Sequence, residues 1–300
     1  MSLARSPSSL FAACLLGSFA AVHASPDPSK VVEIRSEKLA DNLYLLEGAG
    51  GNMTLLVGAD GAVLADDELA PLAPRVQAAI AHITDAPVRF VLNTNFHGDH
   101  TGGNAAFGAA GGVIIAHDNV LKRLSARQAA SPPKPAPARQ ALPVITFGES
   151  LSLHLDGEDI DVLHVPRAHT DGDIVVYFRK ANVLHAGDVF AGPSYPLIDR
   201  NSGGSINGLI AGLATITRRV RPDTRIVSGH AAVATRADVE ALHDMLVVVR
   251  QRIAALVKAR RTEAETVAAH PTQEFDARYG AGPVKPDAFV RTVYADLKRK

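Results

Sequence analysis

Val88-Arg-Phe-Val-Leu-Asn-Thr94 runs directly into Asn95-Phe-His97-Gly-Asp99-His100. The first segment is the apolar, β-branched run of a buried strand. The second delivers two imidazoles and a carboxylate within four positions, on the turn that leaves that strand. Imidazole nitrogen and carboxylate oxygen are the donors that zinc accepts when thiolate is lacking. A catalytic site built from them leaves a coordination position for water, which becomes acidic enough to act near neutral pH.

Further candidates lie just past other apolar runs. His169 follows Val162-Leu-His-Val-Pro166, Asp188 follows Val183-Leu-His-Ala-Gly187, and His230 follows Ile226-Val-Ser-Gly229. The glycines beside Asp188 and His230 permit a sharp turn and a close backbone approach to an ion. His164 and His185 precede the motif turns and are expected to pack rather than ligate.

The rest of the chain alternates strands and helices. Strands are expected at 43–46, 54–57, 61–65, 88–93, 112–116, 151–155, 160–165, 174–178, 182–185 and 225–228. Helices are expected at 72–83, at 118–127 with Asp118 as N-cap, at 208–220 and at 237–257. Ser205 is expected to cap the third of these. The last forty residues are helical in patches, broken by Pro271, Pro283 and Pro286. Ser131–Pro137 breaks regular structure. Strands and helices in mixed order in both halves fit two packed sheets with helices outside.

Thirty-one basic residues balance thirty-one acidic ones, which excludes an electrostatic footprint for nucleic acid or an anionic membrane. At the N-terminus, Arg5, the apolar stretch Leu10 to Val22 and Val22-His23-Ala24 form an export signal pattern. Cleavage there would leave residues 25–300 as a single domain with C-terminal helices, in the periplasm or secreted. It would also remove Cys14, the only cysteine. Every metal ligand must then be His, Asp, Glu or a backbone group.

The order His97-x-Asp99-His100, then His169, Asp188 and His230, resembles the metallo-β-lactamase superfamily. The resemblance implies an α/β (α+β) fold, a four-layer αβ/βα sandwich with metals in the groove where two sheets meet. It implies one metal on His97, His169 and residue 95, a second on Asp99, His100 and His230, and Asp188 bridging both. Thr94, Thr170, Asp66 and Asp67 are candidates to orient those rings. His97, Asp99 and His169 are the candidate catalytic residues, as base or as water-positioning groups.

Where the family has its first histidine, this chain has Asn95. A neutral carboxamide is a poor zinc ligand, so the second site is expected to fill tightly and the first weakly or not at all. Asn-x-His-x-Asp also resembles the single-zinc, carbapenem-hydrolysing subclass, but that subclass has Cys at the position of Asp188 and Arg at that of His100. The expected activity is exported, zinc-dependent hydrolysis of a small molecule, with metal-held hydroxide attacking an activated carbonyl. β-Lactams stand slightly ahead of lactones and thioesters. Against them, the lysine that holds the substrate carboxylate in thiolate-bearing lactamases is Ala191 here, with Arg200, Arg167 or Lys180 as substitutes. The competing readings are an iron-binding redox member of the same fold and a catalytically silent metal-binding protein.

Overall fold

The structure, a computed structural model, describes residues 32–130 and 139–298. The N-terminal signal pattern and Ser131–Pro137 fall outside the described residues. All the described residues belong to one unit, Val32–Lys300.

The first half builds a seven-stranded sheet. Antiparallel β1 (Arg35–Ala40), β2 (Leu43–Glu47), β3 (Met53–Gly58) and β4 (Gly61–Ala65) come first. Helix α1 (Ala73–Ala81) then crosses to β5 (Val88–Leu92), parallel to β4. The short helices α2 (Gly98–Thr101) and α3 (Asn104–Ala109) lead to β6 (Val113–His117), and α4 (Asp118–Ala130) to β7 (Ile145–Phe147), both strands again parallel to their neighbours. Parallel neighbours require crossovers, and the helices supply them.

The second half builds a five-stranded sheet. β8 (Ser150–Leu155), β9 (Glu158–His164), β10 (Ile174–Phe178) and β11 (Val183–Gly187) run antiparallel. Helix α5 (Ile206–Arg219) then carries the chain to β12 (Arg225–Ser228), parallel to β11. Helices α6 (Arg236–Lys258), α7 (Glu263–Ala268), α8 (Asp276–Tyr279) and α9 (Pro286–Lys298) close the fold.

Burial explains the layering. β10 and β11 are buried at every position and accordingly read as unbroken apolar runs, whereas edge strand β8 alternates between exposed and half-buried residues. Leu43, Leu56, Val63 and Leu92 of the first sheet face Ile160, Val176, Phe178 and Val227 of the second in one core. The outer face of the first sheet packs on Val76, Ile80 and Phe107 of α1 and α3. The outer face of the second packs on α5, α6 and the C-terminal helices. The architecture is therefore the four-layer αβ/βα sandwich. No helix among the described residues is long and apolar enough to cross a membrane.

Three local expectations are corrected. Asp118 is the first residue of α4 rather than its cap, and the His117 ring accepts the Asn119 N–H at 3.1 Å instead. Pro286 does not break a helix but opens α9, where its missing N–H costs nothing. The strand expected at 182–185 begins at Val183, because Asn182 adopts a left-handed turn with φ 56°. Ser205 does cap α5, its hydroxyl accepting the Gly208 N–H.

Candidate metal centre

Six residues just past the ends of β5, β9, β11 and β12, two of them (Asp99 and His100) in α2, converge between the two sheets. Donor atoms of His97, His169 and Asp188 lie within 4.8 Å of one another, as do those of Asp99, His100 and His230. Asp188 joins the two groups: its Oδ2 is 3.3 Å from His169 Nε2 and 3.2 Å from His100 Nε2, and its Oδ1 is 3.0 Å from His230 Nε2. Asp99 Oδ2 stands 3.7 Å from His100 Nε2 and 3.5 Å from His230 Nε2, at the solvent side.

Two glycines make this approach possible. Gly187 has φ 50°, and a Cβ there would lie 2.6 Å from Thr94 Oγ1. A Cβ on Gly229 would lie 2.2 Å from Asp188 Oδ1. Any larger residue would push Asp188 or the β5 turn out of place.

Hydrogen bonds on the outer nitrogens decide what the inner nitrogens can do. Asp66 is fully buried and accepts from Thr94 N and Thr94 Oγ1, each at 2.7 Å. Its Oδ2 also receives His100 Nδ1 at 2.7 Å and His185 Nε2 at 3.1 Å. Burial pushes the Asp66 carboxyl up, but His100 and His185 more than offset that and bring it to about 2. An ionised carboxylate only accepts, so His100 donates from Nδ1, and in its neutral form the lone pair lies on Nε2. That Nε2 is buried with no hydrogen-bond partner, and so is Asp188 Oδ1.

The first cluster repeats the logic. His169 Nδ1 faces the Leu197 carbonyl at 2.9 Å and must donate to it. His97 Nε2 faces Asp199 Oδ2 at 3.2 Å. The two inner nitrogens, His169 Nε2 and His97 Nδ1, then turn lone pairs toward each other across 2.9 Å. Opposed lone pairs beside the Asp188 carboxylate repel unless positive charge lies among them. The residues present therefore fit a cation at each cluster by donor chemistry and by tautomer.

The surrounding carboxylates draw positive charge to the same place, which a proton on His100 supplies when no cation does. Burial pushes His100 down, yet Asp188 and Asp66 hold its imidazole well above the usual range. Burial pushes Asp188 up, yet His100, His230 and His169 hold it well below the carboxylate range. Burial and the neighbouring His169 lower His97.

Asn95 is buried inside this arrangement. Its Oδ1 accepts the His97 N–H at 2.8 Å, and its Nδ2 donates to Asp188 Oδ2 at 3.3 Å. Of the expected ring-orienting residues, Asp66 bonds His100 directly, and Thr94 braces Asp66. Asp67 and Thr170 are corrected. Asp67 accepts the Gly103 N–H at the head of α3, and Thr170 Oγ1 donates to Asp173, so neither touches a candidate ligand's ring. His185 packs in the core between Asp66 and Thr54, and His164 stacks on His117 at 3.6 Å.

Arg200 and Lys180 turn elsewhere, to the Ala295 and Gly157 carbonyls, and Arg167 lines a surface cavity with Asn207 and Arg250. Sequence reasoning missed Asp199, Leu197 and the pair Arg123–Arg127. The two guanidinium groups lie 5.3 and 5.2 Å from the ring of Phe96, beside His97, and Arg123 makes a bidentate pair with Asp171. The only sequence signal for Asp199 was a turn-forming acid before Ser202-Gly-Gly.

The curated α subunit of 2,4-dinitroanisole O-demethylase from Nocardioides sp. (strain JS1661) is 29% identical over 149 residues, 48% of this chain and 43% of that protein. A hydroxyacylglutathione hydrolase from Polaromonas sp. (strain JS666 / ATCC BAA-500) is 31% identical over 163 residues, 53% of this chain and 55% of its own length. The chain thus spans about half the length of the curated relatives it matches. A solved metallo-β-lactamase from Pontibacter korlensis superposes with a TM-score of 0.59 at 16% identity, over 71% of this chain and 99% of that one. A stereoselective inverting sec-alkylsulfatase from Pseudomonas sp. gives 0.69 at 16% identity, over 87% of this chain and 50% of that one. The sequence pattern of the metallo-β-lactamase superfamily matches residues 42–230, from the start of β2 through the last candidate ligand. This chain belongs to the metallo-β-lactamase superfamily.

Proposed function

We propose that the protein is an exported, zinc-dependent hydrolase of small activated carbonyl compounds, with thioesters and lactones ahead of β-lactams. The observation that carries the hydrolase reading is the fixed tautomers. Outer nitrogens of His97, His100 and His169 are committed to oxygen acceptors, so their inner lone pairs are aimed at shared positions beside Asp188. His97, His169 and Asp188 would hold one cation, and Asp99, His100 and His230 the other, with Asp188 between them. Bound there, the cations supply Lewis acidity toward a carbonyl oxygen and acidify water.

The chain's own groups divide the remaining work. Asp99, with 27% of its side chain exposed, stands at the solvent side and can orient an incoming water and accept its proton. Asn95 holds Asp188 through a neutral donor without adding charge. Phe96, clamped by Arg123 and Arg127, fixes the turn that carries His97.

Substrate order follows from charge. Ala191 stands where a carboxylate-binding lysine would be, Arg200 is turned into α9, and Arg123 is neutralised by Asp171. The acid Asp199 stands beside His97. These features disfavour the anionic carboxylate of a β-lactam and favour a neutral acyl group. The hydroxyacylglutathione hydrolase named among the relatives is consistent with that choice.

The test is a panel of thioesters, lactones, penems and cephalosporins with zinc-saturated protein. Thioester or lactone hydrolysis is expected, abolished by chelation and reduced about 100-fold or more in His100→Ala. No turnover of any panel member at full zinc occupancy would overturn the reading. Elemental analysis of protein purified through its own export route is expected to find zinc. Iron in its place would favour the redox reading instead.

A further inference from the structure

One loop, residues 191–199, reaches both imidazoles of the first cluster from outside. Its middle is anchored in the C-terminal half. The buried ring of Tyr195 stacks on Phe289 with centroids 4.9 Å apart, and its hydroxyl donates to Asp276 Oδ1 at 2.7 Å. Two residues on, the Leu197 carbonyl takes the His169 proton. Asp199 is then pinned at two points: its backbone N–H donates to the His169 carbonyl at 2.9 Å, and its Oδ1 accepts the Ser202 N–H at 3.1 Å. Only Oδ2 is left to face His97 Nε2.

We infer that Asp199 is a positioning residue of this site, holding His97 as the Nε2–H tautomer with Nδ1 turned to His169 and Asp188. The His97 side chain is 24% exposed, and Asn95 adds no third imidazole to the His97–His169 pair. On its outer edge Asp199 is the acceptor that distinguishes one ring nitrogen from the other. A carboxylate in that place cannot donate, so the proton belongs on Nε2. Such outer partners set both ring orientation and ligand basicity. Here the partner comes from a loop held by helices beyond the region that matches the family, which ends at residue 230.

The inference rests on the hydrolase reading for what Nδ1 is used for, but its test does not depend on turnover. Full-length wild type, Asp199→Ala and Asp199→Asn are titrated with zinc. The His97 ring nitrogens are followed by long-range proton–nitrogen NMR at one equivalent. Wild type is expected to carry the His97 proton on Nε2. Asp199→Ala is expected to bind zinc 10- to 100-fold more weakly at the His97–His169–Asp188 cluster, with the other cluster unchanged. Asp199→Asn keeps an acceptor oxygen and should stay within a few-fold of wild type. A proton on Nδ1 in wild type, unchanged affinity in Asp199→Ala, or equal loss at both clusters overturns the inference. If wild type saturates at one equivalent, the tautomer decides alone, and its retention in Asp199→Ala overturns the inference. A protein inactive on every carbonyl substrate, yet with the tautomer shift, loses the hydrolase reading and keeps Asp199.

Discussion

A single side chain, Asn95, is expected to set the balance between the two clusters. Its carboxamide caps the β5 turn through the His97 N–H and steadies Asp188, but it brings no strong donor. Asn95→His is expected to raise affinity for a second zinc by about tenfold or more, and to lower stability by about 1 kcal/mol through the lost cap. Competition with a chromogenic chelator checks the first and urea unfolding the second; unchanged stoichiometry and affinity would show that residue 95 does not limit the site. Asp66 works from the opposite side, gathering Thr94, His100 and His185 on one buried carboxylate. Its φ of 60° suits Asp or Asn. Asp66→Asn therefore keeps the backbone while setting an amide against ring donors, and should cost about 3 kcal/mol in urea unfolding. The candidate ligands were legible because each is a distinctive residue type placed just after an apolar run. Asp199 was not, because its partner His97 lies 102 positions away and nothing local marks the pairing.

Elements were legible where periodicity had room to act. β10 and β12 match the expected spans, and α6 differs by one residue at each end. The four residues of α2 and the three of β7 are too few to show a period, and tertiary contacts decide them. α6 also shows how an element's start is fixed. Thr235 and Asp238 form a capping box in which the Thr235 side chain accepts the Asp238 N–H while Asp238 takes the Thr235 N–H and hydroxyl. Thr235→Ala is expected to destabilise by about 1 kcal/mol at pH 7. The sign with pH follows from Asp238, whose carboxyl the Thr235 hydroxyl and N–H hold below its usual value. A depressed folded pKa stabilises above the unfolded value of about 4 and loses that benefit as pH falls through the folded one. The gap between Thr235→Ala and wild type in urea should thus be full at pH 7 and shrink as pH falls below the unfolded value of about 4. A constant gap across that range would mean that the Asp238 interaction contributes nothing.

On the scale of the whole molecule, the candidate centre joins the halves of the sandwich. His97, Asp99 and His100 come from the half carrying the seven-stranded sheet, while His169, Asp188 and His230 come from the half carrying the five-stranded one. Directional bonds also cross beside them: Ile174 N donates to the Thr94 carbonyl, Asn52 N to the Gly229 carbonyl, His185 joins Asp66 and Thr54, and Arg123 pairs with Asp171. The apolar core between the sheets is not directional, so cations held by ligands from both halves would fix the halves in register as well as serve chemistry. Binding that is confined to the folded chain stabilises it by mass action, about 2.7 kcal/mol at a free zinc concentration 100 times Kd. For a domain of this size that corresponds to roughly 5–10 °C in Tm. Thermal unfolding with zinc and with excess chelator should differ by that amount. The difference should shrink in His230→Ala, which removes a donor that the second half contributes. Identical midpoints with and without zinc would mean that the cluster does not bridge the halves through a metal, and that the core and the crossing hydrogen bonds hold them together.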